Sequence, residues 1–77
     1  MKGINNKQLN ALVSELEDIK TRLEEVKEEA EGYYEEKSEK WQEGDNGQLM
    51  DEKIGEMDVG IEDLEALIEK LNDIAGD

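Results

Sequence analysis

Seven carboxylates fall within thirteen residues, at Glu24, Glu25, Glu28, Glu29, Glu31, Glu35 and Glu36. A second group follows at Asp58, Glu62, Asp63 and Glu65. Side chains of this kind at this density have three possible uses: acid–base catalysis, cation coordination, or display of negative charge to a basic partner. Acid–base work needs two carboxyls held in sharply different environments. Acids strung along a solvated helix share one environment, so they do not meet that need. The chain has no Cys, no His and no Gly-rich phosphate loop, and Ser14, Thr21 and Ser38 have no usual general base beside them. An enzyme is therefore the weakest reading, and no cofactor is expected. Asp45 and Glu56 have the outer spacing of a Ca²⁺ loop. The positions between them fall on Gly47, Leu49 and Asp51, and Met50 stands where the sharp turn of such a loop requires Gly, so no metal site is expected there.

Display of charge fits best. Asp and Glu number 23 against 9 Lys and Arg, a net charge of −14. The imbalance is uneven: residues 15–77 hold all 23 acids and seven bases, a net of −16. Between Glu15 and Glu43 there are 12 acids. On a helix rising 1.5 Å per residue they are spaced roughly 3.5 Å apart, close to the ~3.4 Å phosphate spacing of one DNA strand. Five bases in the same span reduce the net to −7, so any likeness to a duplex is patchy. Such a surface repels nucleic acid and anionic membrane and attracts basic proteins, including those that hold nucleic acid. The plainer reading is a solvated face that keeps the chain soluble, with local pairs such as Glu36–Lys40.

Tyr33, Tyr34 and Trp41 are the only aromatic residues and fall close together. Rings of this kind either pack against neighbours or anchor a partner.

Two helices must position these groups. Apolar residues at Leu9, Leu12, Leu16, Ile19, Leu23, Val26, Ala30 and Tyr33 alternate gaps of three and four, the period of one helical seam. Asn5 is a suitable N-cap with Gln8 three residues on, and Ile4 and Leu9 occupy the staple positions. Helix is expected over about 6–43, with Gly44 in the left-handed C-terminal position. A strict heptad would bring Lys37 and Lys40 inside, so the seam is read as rotating to Ala30, Tyr34, Ser38 and Trp41. Residues 44–47 read as a turn. A second helix over about 48–75 presents Met50, Ile54, Met57, Ile61, Leu64, Ile68, Leu71 and Ala75.

The expected fold is all-α, one domain over 1–77: an antiparallel two-helix hairpin of coiled-coil type. Folding about Gly44 and Asp45 pairs residues whose numbers sum to about 90, such as Val26 with Leu64 and Leu23 with Ile68. In that register Leu9, Leu12 and Val13 overhang the second helix. With Leu16 they are the expected self-association residues, and a homodimer forming a four-helix bundle follows. The alternative is a single chain whose open seam awaits a foreign protein. No segment is apolar enough to span a membrane, and the start lacks a signal peptide's apolar core, so the expected location is the cytoplasm.

The run Tyr33-Tyr34-Glu35-Glu36-Lys37-Ser38-Glu39-Lys40-Trp41-Gln42-Glu43, followed by a Gly/Asp turn, Asp51-Glu52-Lys53-Ile54 and Ile61-Glu62-Asp63-Leu64-Glu65, resembles a recurrent kind of small acidic helical protein. Such proteins occur in bacteriophage and other mobile-element genomes. The resemblance covers roughly residues 28–74, and no activity carries over residue by residue. It implies an accessory protein acting in a bacterial host cell. Its sharpest form is an inhibitor that occupies the nucleic-acid groove of a basic host defence protein, as anti-restriction and anti-CRISPR proteins do. The other reading is a scaffolding coiled coil whose acidity serves solubility alone.

Overall fold

The computed structural model describes residues 3–76; Met1, Lys2 and Asp77 lie outside them. Among the described residues the fold is all-helical. Helix α1 spans Asn6–Glu36, α2 spans Glu39–Glu43 and α3 spans Asp45–Gly76. The Asn5 side chain caps α1 as expected, its Oδ1 accepting from the Gln8 backbone N–H at 2.9 Å.

The first helix does not run on to Glu43. It stops at Glu36, and Lys37 takes an extended conformation. Three local causes act together. Continuation would drive Lys37 into the apolar seam. Glu35 and Glu36 place negative charge at the negative end of the helix dipole. Ser38 offers a competing N-cap, its Oγ accepting from the Trp41 N–H at 3.2 Å, and starts α2.

The corner is tied to α1 by one side chain. Gln42 Nε2 donates to the Tyr34 carbonyl at 2.8 Å, which also accepts from the Lys37 backbone N–H at 3.2 Å, and to the Lys37 carbonyl at 3.3 Å. Gly44 is extended, with φ −77° and ψ 177°, and does not take the expected left-handed conformation. Residues 45–47, expected as turn, are the first turn of α3. Gly47 is buried there, and a Cβ on it would overlap the Trp41 and Gln42 carbonyl oxygens. Glycine is required at this position because α2 and α3 meet backbone to backbone.

Helices α1 and α3 pack antiparallel into a body of 59 × 15 × 12 Å. The register differs from the expected one. Lys20 reaches Glu65 at 3.0 Å and Lys27 reaches Asp58 at 2.9 Å, so paired numbers sum to 85 and not 90. Leu23 lies against Gly60, where an added Cβ would be 3.6 Å from its Cδ2. The early end of α1 causes the shift, because the chain turns sooner. The overhang disappears with it. Val13, expected to lack an intrachain partner, is 7% exposed and belongs to the core with Ile61 and Ile68. Leu9 and Leu16 are half-buried. Leu12 is exposed but shares a groove with Ile74 of the same chain.

Candidate functional site

The acidic residues divide into two groups by what they touch. Glu24 and Glu31 are half-buried and pair along α1 with Lys20 and Lys27, each at 3.8 Å. Glu65 and Asp58 reach across from α3 to the same two lysines. These four carboxylates close one long edge of the hairpin. The lysine side chains retain 28% and 23% exposure, so their stems cover apolar surface while their ammonium groups are shared between helices. The hydrogen bond from Lys27 to Asp58 and that from Lys20 to Glu65 hold both ammonium groups above the ordinary lysine pKa; burial opposes this and does not overcome it.

The second group points away. Glu25, Glu28, Glu29, Glu35 and Glu36 are exposed on the side of α1 turned from α3, and Glu62 and Asp63 are exposed on α3. None of them is within ion-pair distance of a lysine or arginine among the described residues. The residues expected from sequence to form one surface thus divide into an edge where two lysines are shared among four carboxylates, +2 against −4, and outward carboxylates on both helices.

A groove of about 460 Å³ lies along the charged edge. Carboxylates of Glu17, Glu65, Glu69 and Asp73 surround it with Lys20, and Ile68 forms part of its wall. No group of three or more acidic side chains among the described residues is placed to hold a metal ion. No helix among them is long and apolar enough to cross a membrane.

The aromatic residues do come together, at the corner. Trp41 meets Tyr33 and Tyr34 edge-on, with ring centroids 6.0 and 6.3 Å apart. Lys37, released from the seam by the break after Glu36, places Nζ 4.4 Å from the Tyr33 ring centre and 5.7 Å from that of Trp41. Tyr34 and Trp41 are half-buried, whereas Tyr33 is half exposed.

Two features lie outside the expectations from sequence. One is the lysine ladder, whose signal is that a sum of 90 sets Lys20 against Lys70. The other is the edge opposite the ladder. Leu12, Ile19, Val26 and Tyr33 are seven residues apart and 43–50% exposed, with Leu67 and Ile74 of α3 at 43% and 40%. The periodicity places all four α1 positions in the seam, but the seam proper runs through Val13, Leu16, Leu23 and Ala30, which are buried or half-buried.

Comparison with protein-family models, with curated proteins and with solved structures gave no match.

Proposed function

We propose that this chain is a non-enzymatic protein-interaction module that uses its outward carboxylates to occupy a basic, nucleic-acid-binding surface of a host protein. The observation that carries this is the division among the acids. Lys20 and Lys27 pair with the four edge carboxylates and offset half of their charge, while Glu25, Glu28, Glu29, Glu35 and Glu36 project from one helix with no cation beside them among the described residues. A row of this kind concentrates negative potential and steers a basic partner. The groove along the charged edge adds a subsite of suitable chemistry, since carboxylates around an apolar wall fit a lysine or arginine side chain. Inhibition of a defence nuclease in a bacterial cytoplasm, by an accessory protein of phage or mobile-element type, is the specific form of this reading. The homodimer is part of the same proposal.

The test is competition with DNA. Purified restriction and CRISPR nucleases are assayed for cleavage with the protein present. Wild type should inhibit at least one of them, with potency falling steeply as salt rises. Reversal of Glu25, Glu28, Glu29 and Glu35 to Lys should weaken that inhibition by at least about tenfold, about 1.4 kcal/mol, with the helical signal unchanged. Glu24 is left out because it pairs with Lys20. Equal inhibition by the reversed variant would remove the mimicry mechanism. A wild type that inhibits none of the nucleases would favour the scaffolding reading.

A further inference from the structure

We infer that the apolar edge of the hairpin, formed by Leu12, Ile19, Val26 and Tyr33 with Leu67 and Ile74, is a self-association face covered by the same edge of a second copy of this chain. The inference supplies the face for the homodimer included above, and it stands independently of the outward carboxylates.

Placement of the residues is the first argument. Ile19 precedes Lys20 and Val26 precedes Lys27, so about 100° of helix separates the exposed apolar row from the lysine row. The lysines lie on one edge of the contact with α3, which puts the apolar row on the other. On α3, Leu67 is two residues beyond Glu65, about 200° round, and so also lies away from the ladder. Ile74 confirms that the rows of the two helices adjoin, because it lines one groove together with Leu9 and Leu12.

The second argument concerns what the hairpin lacks. Only Val13, Ile61 and Ile68 among the described apolar residues are buried, and no side chain is below 2% exposure. A chain of 77 residues with so thin a core needs a staple, and it has no cysteine to supply one. The cover must be present whenever the chain is folded, and a second copy always is.

Fit is the third. A row repeating every seven residues selects another helical row of the same repeat and length, and this chain carries one. The row from Leu12 to Tyr33 rises about 32 Å, and across the 15 Å width of the two helices it offers roughly 500 Å² per copy. Two such edges together bury roughly 1,000 Å², the lower bound for a specific interface. Covering this edge leaves the lysine ladder and its groove facing solvent.

Sedimentation equilibrium of the full chain tests the inference. Wild type should give about 17.6 kDa, twice the 8.8 kDa chain. Each copy carries −14, so the dimer should tighten between about 50 mM and about 500 mM salt. Binding through the outward carboxylates responds to salt in the opposite sense, so failure of one proposal is distinguishable from failure of the other. The double variant Ile19→Glu, Val26→Glu should weaken the dimer by at least about a hundredfold. Val59→Glu, at an exposed apolar residue outside this edge, should leave the mass unchanged. If the double variant loses helical signal, the wild-type melt decides: Tm rising with protein concentration supports the dimer. A folded wild type of 8.8 kDa whose Tm is independent of concentration overturns it, and so does a Val59→Glu chain that dissociates as readily as the double variant.

Discussion

Ile19 and Lys20 are neighbours in the chain and sit on opposite edges of the same hairpin. On the Lys20 edge the two helices are joined by charge: Lys20 meets Glu65 and Glu24, and Lys27 meets Asp58 and Glu31. On the Ile19 edge no ion pair joins the helices among the described residues, and apolar side chains stand about half exposed. The two edges divide the work of specificity and adhesion. Solvent-exposed ion pairs add little to stability. They do penalise wrong registers, because a slip sets like charges against each other. The apolar edge has the reverse properties. A heptad row is nearly indifferent to a slip of seven residues, but it gains free energy from any cover that excludes water.

Because both edges depend on one register, the largest effect should come from the corner that fixes it. Gly47→Ala forces a methyl group against the Trp41 and Gln42 carbonyl oxygens. Backbone atoms cannot swing aside as a side chain can, so α2 must lift from the start of α3. A loss of about 3 kcal/mol is expected. Urea unfolding of the two chains, compared at equal concentration, measures it. The same substitution at Gly44 serves as the contrast. There an added Cβ makes only ordinary contacts, 3.4 Å from the Trp41 carbonyl oxygen, and φ is negative. Gly44→Ala should therefore be tolerated, and an equal loss at both positions would contradict this account of the corner.

These outcomes also mark how far the sequence is legible. The heptad rows announce two long helices, and Asn5 announces where the first begins. The corner is harder to read because its signals are tertiary. Ser38 resembles any polar helix residue until Trp41 is seen to be its partner. Gly47 looks like a turn glycine, but its need is for close approach. Apolar periodicity alone accepts several alignments, so the register it predicts differs by five from the one in the structure; the charges that choose among them are Lys20, Lys27, Asp58 and Glu65. The candidate site was half legible. Its acidic residues could be named from the sequence, but the division between paired and outward carboxylates depends on the register.

A sharper test makes the two edges alike. Lys20→Met and Lys27→Met, combined with Glu24→Leu, Glu31→Leu, Asp58→Leu and Glu65→Leu, remove both signs of charge from the ladder. The hairpin then has two apolar edges. Association through both no longer closes on itself, so species heavier than twice the chain mass are expected, growing with concentration. Sedimentation velocity reads this directly. A variant that keeps the wild-type mass distribution would show that the ladder charges do not restrict association to one edge.

The smallest expected effect isolates the ladder's charge alone. Both ammonium groups are held above the ordinary lysine pKa, chiefly by their hydrogen bonds to Glu65 and Asp58, with Glu17, Glu24 and Glu31 adding to the pull. A group whose pKa is raised by folding contributes its full stabilisation below the unfolded value and loses it as pH rises through the folded one. The window therefore lies above about pH 10.4. In Lys20→Arg with Lys27→Arg the cations persist through that range, since arginine stays protonated, and every other titrating group is common to both chains. Melts from pH 7 to about pH 11.5 should superimpose at the start and separate only within the window, with wild type falling further. In about 1 M salt the separation should shrink, because the pairs are open to solvent. If wild type and the arginine chain fall in parallel at low salt, the ladder contributes no free energy of its own. Its role would then be confined to excluding the wrong register, and the apolar edge and the corner would account for the stability.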